Sequence, residues 1–169
     1  MSDLRFVRAN QHAIPLLEDI LENALRCLPE ETAALFHDDF AAVLNSQSGE
    51  GRHYEIGFQE HVPVGYVRYD IGEAILEVSS PWLYPDYLHE DIAEAMVMHC
   101  IEVAKLSAAV VVYGLIPVAL DVVLQALQSN DFEIISAEPE FIRRWRDGLL
   151  ADRSLPTGVC LVANLIEIE

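Results

Sequence analysis

The order of secondary-structure patterns between residues 74 and 132 constrains the fold of this chain more than any other feature. A short strand pattern at residues 74–78 is followed by a helical pattern and then by the continuous apolar run at residues 110–113. A run without alternation is typical of a central strand buried on both faces. Strand, helix and strand in this order predict a right-handed crossover between two parallel strands. A second helical pattern then ends at Asn130 and Asp131, two residues that tolerate positive φ.

The helix of this crossover is specified by its apolar spacing. Apolar residues recur at steps of three and four, which is the period of one buried helix face. The positions on this face are Leu88, Ile92, Met96, His99, Val103 and Leu106. The acidic residues of the segment fall largely on the other faces. His99 is therefore predicted to be a histidine of the core rather than a catalytic one.

The remaining patterns complete a mixed sheet. A first strand at residues 4–7 precedes two helical patterns, and three strands within residues 54–78 follow as an antiparallel meander. Residues 133–137 and 159–168 are predicted to form two more strands. We expect a single α/β domain over residues 1–169, with six or seven strands and four main helices. Its sheet should be antiparallel through the meander and parallel at the crossover.

The charge of the chain bears on its partners. It has 28 acidic residues against 10 basic ones, which gives a formal net charge of −18. Such a surface repels phosphate backbones and anionic membranes, so neither nucleic acid nor a membrane is an expected partner. A small cationic amine would be attracted instead, although strongly acidic surfaces often serve solubility alone.

Hydropathy predicts the compartment. No apolar run approaches the ~20 residues that span a bilayer. The first residues carry charges where a signal peptide needs an apolar stretch. The sequence therefore predicts a cytoplasmic protein, and it leaves the oligomeric state open, a homodimer included.

Residues 85–93 read Pro-Asp-Tyr-Leu-His-Glu-Asp-Ile-Ala and open the crossover helix. This segment resembles the acetyl-CoA loop of the GNAT superfamily of acetyltransferases, whose pattern there is Pro-x-Tyr-Arg-Gly-x-Gly-x-Gly. The matching positions are Pro85, Tyr87, Ile92 and Ala93, and the departures are Leu88 for Arg and His89 and Asp91 for glycines. The order of elements resembles the family over nearly the whole chain, with Phe132 at the Phe of a Gly-Phe pair.

The resemblance implies acetyl-CoA or another acyl-CoA as cofactor. A helix N-terminus can hold a pyrophosphate because it exposes unpaired N–H groups and the positive end of the helix dipole. The implied cofactor-binding positions are Tyr87, Leu88, His89, Asp91, Ile92 and Ala93. Asp91 would bring a negative charge close to the pyrophosphate, which makes the loop degenerate. An acid in a first helical turn also complements the dipole whatever the function.

The resemblance also implies a pair of catalytic residues. GNAT enzymes transfer an acyl group directly to an amine, with a carboxylate or water that removes a proton and often a tyrosine that protonates the thiolate. The position of that tyrosine is Leu127 here, so Tyr113 at the end of the apolar strand is the candidate acid. Glu77 lies where several family members keep a general base. The alternatives are a core tyrosine with a solvated hydroxyl and a solvent-facing acid on an alternating strand.

Pro81 predicts a break in the third strand of the meander. Proline cannot donate a hydrogen bond to a neighbouring strand, so the strand should break or bulge within residues 79–82. In the GNAT family the strands separate at this place and the acyl group enters there.

An arginine cluster near the C-terminus is the remaining candidate for a cofactor contact. Arg143, Arg144 and Arg146 surround Trp145. Guanidinium groups bind phosphates in a bidentate manner and stack on purines, so these residues could compensate for the degenerate loop. The alternative is a set of charges that protects a surface strand from edge pairing.

Two functions follow from these observations. The first is a diverged GNAT-type N-acyltransferase that uses an acyl-CoA and acts on a cationic amine. The second is a GNAT-fold binding or assembly module without catalytic activity, which the departures at Leu88, His89, Asp91 and Leu127 favour.

Overall fold

One mixed sheet with helices on both faces forms the framework of the protein. The computed structural model describes residues 3–37, 51–135 and 158–166. The described strands are β1 (Leu4–Arg8), β2 (Arg52–Gln59), β3 (Val62–Ile71), β4 (Ile75–Val78), β5 (Trp82–Leu83), β6 (Val111–Pro117), β7 (Glu133–Ile135) and β8 (Val159–Leu165). The described helices are α1 (Ile14–Leu25), α2 (Glu30–Phe36), α3 (Glu90–Leu106) and α4 (Asp121–Ser129).

The order of the strands confirms the predicted topology. The path through the sheet is β1-β2-β3-β4-β6-β8-β7, and β5 pairs with β3. The pair β4–β6 is parallel, and the other strand pairs of the described residues are antiparallel. β6 lies inside the sheet and six of its seven residues are buried, as the apolar run predicted. The connection between the two parallel strands passes through α3.

The strand count differs from the prediction for a local reason. Within the described residues the sheet has eight strands rather than six or seven. The third strand of the meander ends at Val78, and the chain pairs with β3 again only at Trp82 and Leu83. Pro81 has no N–H with which to continue the ladder. The predicted break is therefore confirmed, and it divides one expected strand into β4 and β5.

α3 packs on one face of the sheet through the predicted apolar face. Ile92, Met96 and Val103 are buried, whereas Leu106 is 89% exposed because the helix ends there. The sulfur of Met96 lies 3.1 Å from the position that a Cβ on Gly57 would occupy, so a residue without a side chain lets the helix approach β2 closely. α3 also contacts β6, and α4 lies beside α3 and contacts β7.

A carboxylate and two histidines lie at the edge of this interface. The Nε2 atoms of His99 and His53 are 3.1 and 3.2 Å from the two carboxylate oxygens of Glu55. The hydrogen bonds from His53 and then from His99 outweigh burial and lower the pKa of Glu55 to about 2. The ring of His99 also stacks on Phe6, with 3.7 Å between centroids. His99 is thus hydrogen-bonded, but it is half-buried at the edge of the core rather than inside it as the sequence predicted.

α1 and α2 pack on the opposite face. Phe36 of α2 contacts Trp82 edge-on, with 5.0 Å between ring centroids. The hydroxyl of Thr32 lies 2.7 Å from the position that a Cβ on Gly158 would occupy, immediately before β8. α2 therefore contacts both β5 and the start of β8, which belong to different halves of the sheet.

The helices do not provide a membrane span. α3 has 17 residues and carries charges on its outer face. Within residues 3–37, 51–135 and 158–166, no helix is long and apolar enough to cross a bilayer.

Candidate active site

The sheet opens between β4 and β6. These strands are paired at three positions only, the last of which joins Glu77 to Tyr113. At the next position a Cβ on Gly114 would lie 2.5 Å from the carbonyl oxygen of Val78, so the backbones are in close contact there. Beyond that point β6 stays paired with β8, whereas β5 pairs with β3. The two strands therefore diverge, and the opening between them begins beside Glu77 and Tyr113.

A row of polar side chains crosses the sheet at the closed end of this opening. Arg52 pairs in register with Asp70, Asp70 with Glu77, and Glu77 with Tyr113. Residues that pair directly across neighbouring strands point to the same face. This is the α2 face of the sheet, because Tyr66, on the same face of β3 as Asp70, pairs with Trp82.

Both predicted catalytic residues belong to this row. Tyr113 is fully buried and packs with Leu161. Glu77 is half-buried beside it on β4. The sequence predicted each residue separately, and the pairing of β4 with β6 places the two on adjacent strands. Their catalytic roles remain predictions.

An ion-pair cluster next to Glu77 was not predicted. The Nε atoms of Arg52 and Arg68 are 2.5 and 3.0 Å from the two carboxylate oxygens of Asp70. Burial lowers the pKa of Arg52, but the hydrogen bond and charge of Asp70 outweigh it and raise the pKa overall. Opposite charges two positions apart, as in Arg68 and Asp70, could have suggested one polar face of β3.

Two buried polar atoms on the same face lack hydrogen-bond partners within the described residues. They are the hydroxyl of Tyr54 and the indole Nε1 of Trp82, both in residues that are at least nine-tenths buried. Burial raises the pKa of Tyr54 to about 12, against the opposing charge of Arg52. Buried polar groups are normally paired, so these two atoms are candidates to contact a ligand or a bound water.

The predicted cofactor loop forms a 3-10 turn followed by the first turn of α3. The N–H groups of Tyr87, Leu88 and His89 donate hydrogen bonds to carbonyls within the loop. His89 is the N-cap residue, and its side chain does not cap the helix. In the described part of the chain the N–H groups of residues 90–92 have no acceptor. Three donors are therefore available at this end of α3, as the resemblance requires.

The side chains of the loop are divided between packing and solvent. Ile92 and Ala93 are fully buried in the core, and Tyr87 and Leu88 pack against it. Any contact that these four residues make with a cofactor would therefore come mainly from their backbone. His89 is exposed.

Asp91 is exposed to solvent in the first turn of α3. Its carboxylate is exposed and lines a groove of about 320 Å³ between α3 and β1, with Asp3 and Glu102. β1 is the edge strand on the far side of β2 and β3 from β4. The repulsion between Asp91 and a bound pyrophosphate stays a prediction.

Two further predictions concern Leu127 and the arginine cluster near the C-terminus. Leu127, at the position of the family tyrosine, is buried in the core. No proton donor comes from that position of α4. Arg143, Arg144 and Arg146 lie outside the described residues.

Solved structures share this arrangement of sheet and helices. An acetyltransferase of the GNAT family from Staphylococcus aureus Mu50 superposes with a TM-score of 0.66 at 10% identity, over 98% of this chain and all of that chain. This chain has the GNAT fold. The PaiA N-acetyltransferase of Thermoplasma acidophilum, solved with coenzyme A, has a TM-score of 0.65 at 13% identity, over 97% and 99% of the two chains.

A third GNAT-fold neighbour was solved with acetyl-CoA. It is YncA of Salmonella typhimurium, with a TM-score of 0.63 at 11% identity, over 98% of this chain and 95% of that one. Identities of this size establish a shared fold and leave the activity to be argued from the site. No family model matches the sequence, and no curated protein matches it.

Proposed function

We propose that this protein is an acyl-CoA-dependent N-acyltransferase. The observation that carries the proposal is the opening between β4 and β6, with Glu77 and Tyr113 in register at its closed end. A half-buried carboxylate and a buried phenol on adjacent strands provide a proton acceptor and a proton donor at one place.

The residues present fit a cofactor of this class. Donor N–H groups at residues 90–92, at the positive end of α3, suit a pyrophosphate. The diverging edges of β5 and β6 would hold the extended part of the molecule. An acyl-CoA would supply an activated thioester, and acetyl-CoA or a longer acyl-CoA would serve.

The acceptor in this proposal is an amine. Amines are protonated in water, and a chain with a net charge of −18 attracts them. The carboxylate of Glu77 would accept the proton that the amine must lose before it can attack. The hydroxyl of Tyr113 would provide the proton for the leaving group, because Leu127 leaves no donor at the usual position.

A second candidate function has two observations in its favour. Leu127 is part of the hydrophobic core, and the loop before α3 lacks the glycines that allow close approach of a pyrophosphate. A GNAT-fold module that binds a partner without catalysis would show these features. Such a module would need neither Glu77 nor Tyr113.

Isothermal titration calorimetry with acetyl-CoA and free CoA tests the proposal. The acyltransferase predicts dissociation constants tighter than about 100 μM, roughly −5.5 kcal/mol. Mass spectrometry of a mixed amine panel after incubation with acetyl-CoA then detects transfer. Absence of heat at millimolar CoA, together with no acylated amine, would favour the inactive module.

A further inference from the structure

We propose that the acceptor carries an anionic group, a carboxylate or phosphonate, a few atoms from its amine, and that Arg52 binds this group. The inference rests on the proposed function, since it concerns the acceptor of that same site. It narrows the acceptor from amines in general to amino acids and their close analogues.

The guanidinium of Arg52 has donors to offer. Only its Nε is used by Asp70, and its two Nη atoms have no hydrogen-bond partner within the described residues. The side chain is 31% exposed, so a ligand can reach it. A guanidinium whose two terminal nitrogens are available has the geometry for bidentate binding of a carboxylate or phosphonate.

The position of Arg52 matches an acceptor whose amine is at Glu77. The residues occupy one row of the sheet, with Asp70 on the strand between them. Neighbouring strands are ~4.8 Å apart, and Arg52 is bonded to Asp70, so its guanidinium lies roughly one strand spacing from Glu77. A ligand that reaches both groups therefore has its charges only a few atoms apart.

The hydroxyl of Tyr54 gives independent support. Tyr54 lies two positions from Arg52 on β2 and faces the same side of the sheet. Its hydroxyl is buried and has no hydrogen-bond partner within the described residues. An anion beside Arg52 could accept a hydrogen bond from it, which would satisfy an otherwise unpaired buried donor.

Charge repulsion should also discriminate against acceptors that carry a second positive charge. An acceptor with a second positive charge a few atoms from its amine would place that charge beside Arg52. Asp70 offsets part of the charge of Arg52, so the repulsion comes from the part that this ion pair leaves uncompensated. Diamines and polyamines should therefore be poorer acceptors than amino acids, despite the acidic surface of the whole protein.

Matched pairs of acceptors test the inference. The pairs are L-phenylalanine with phenethylamine, L-leucine with isoamylamine, and aminoethylphosphonate with ethylamine. With acetyl-CoA as donor, kcat/KM should favour the anionic member of at least one pair by about tenfold or more. The carboxylate and phosphonate pairs distinguish the two sources of negative charge.

Variants of Arg52 connect the preference to this residue. Arg52→Met should bring the ratio of the two kcat/KM values in each pair close to one. Arg52→Lys should leave an intermediate ratio, because lysine keeps the positive charge but lacks the two parallel N–H donors of a guanidinium. Arg26→Met removes an exposed arginine at the C-cap of α1 and should keep the wild-type ratio. Circular dichroism melts verify that each variant is folded.

The outcomes separate this inference from the proposed function. Equal or better use of the plain amines by the wild type, or a preference that survives in Arg52→Met, overturns the inference and leaves the acyltransferase intact. If no amine is acylated, the proposed acyltransferase function is wrong. Calorimetry with the same pairs of acceptors then tests whether Arg52 binds an anionic group. Binding of the anionic members that Arg52→Met abolishes supports the site, and absence of binding overturns it.

Discussion

Glu77 and Tyr113 form the last residue pair of the parallel strands β4 and β6 before these strands separate. Each lies on the α2 face, in line with Asp70 and Arg52. The place where the backbone opens is therefore also the place where ionisable side chains are concentrated.

Glu77→Gln should abolish proton removal and preserve the shape of the site. We expect kcat for acyl transfer to fall by roughly 10²- to 10⁴-fold, which is the usual contribution of a general base. The dissociation constant for CoA should stay within about twofold, since Glu77 is not at the helix N-terminus. Steady-state kinetics and calorimetry measure the two quantities, and an unchanged kcat would exclude Glu77 as the base.

Gly114→Ala should destabilise the closed end of the opening. The added Cβ would lie 2.5 Å from the carbonyl oxygen of Val78, and a backbone atom cannot move away without separating the strands. A loss of about 1–3 kcal/mol in the free energy of unfolding is expected. Urea denaturation provides the measurement.

Gly57→Ala is the matched control for this change. Its Cβ would meet the flexible end of Met96 at 3.1 Å, so the loss should be smaller than at Gly114. Equal losses for the two variants would show that strand contact at Gly114 has no special importance.

Asp91→Asn tests the pyrophosphate site at the start of α3. Because the carboxylate is exposed and faces the groove with β1, its repulsion of a bound pyrophosphate should be weak. We expect a gain of about 0.3–1 kcal/mol in CoA binding at low salt, which vanishes at high salt. Calorimetry at two salt concentrations measures it.

Glu102→Gln is the control for Asp91→Asn. It removes the same charge from the same groove, ~16 Å further along the helix axis. CoA affinity should not respond. If Asp91→Asn also leaves affinity unchanged and only lowers the melting temperature, the acid serves the helix dipole alone.

Glu55→Gln should cost stability in a manner that depends on pH. The pKa of Glu55 is about 2 in the folded chain against an ordinary 4.5, because His53 and His99 bond its ionised form. A depressed pKa contributes stability that is complete above about pH 4.5 and is lost as the pH falls through about 2. The difference between variant and wild type should therefore be about 2–3 kcal/mol at pH 7 and shrink below pH 4.

Urea unfolding at pH 7, 5 and 3 measures this trend. Tyr69 and Cys100 also face the cluster, but both are buried groups whose pKa burial raises, so they stay neutral over this range. Glu18→Gln, at an exposed position of α1, is the control and should show no such trend. A loss for Glu55→Gln that is constant with pH would contradict the assignment.

The fold and the strand break were predictable because their causes are local. Pro81 interrupts a ladder wherever it lies in a strand, because proline has no N–H to donate. The apolar run in β6 indicates burial on both faces of the sheet, whichever strands lie beside it. Glu77 lies on the third strand of the meander, as the order of elements predicted. Tyr113 was predicted at the end of its strand, whereas β6 continues to Pro117 and Tyr113 is the third of its seven residues.

The ion-pair cluster was not predictable because it depends on strand register. β2 and β3 shift register at Gly57 and Phe58, and this shift places Asp70 opposite Arg52. Without this shift in register, Tyr69 would lie opposite Arg52, and Arg52 and Asp70 would point to different faces of the sheet. The direction of Asp91 likewise depends on how α3 is rotated against β1, which helical spacing alone does not specify.

The two halves of the sheet meet along a seam of three residue pairs between β4 and β6. A seam this short provides few backbone hydrogen bonds to fix the angle between the two halves. Pro117 lies three residues beyond Gly114, ~10 Å along the strand, so a rotation of about 10° would move it by roughly 2 Å. Phe36 and Thr32 hold α2 against the strands on either side. α2, a helix of seven residues, thereby connects the strands on the two sides of the opening and limits how far they can separate.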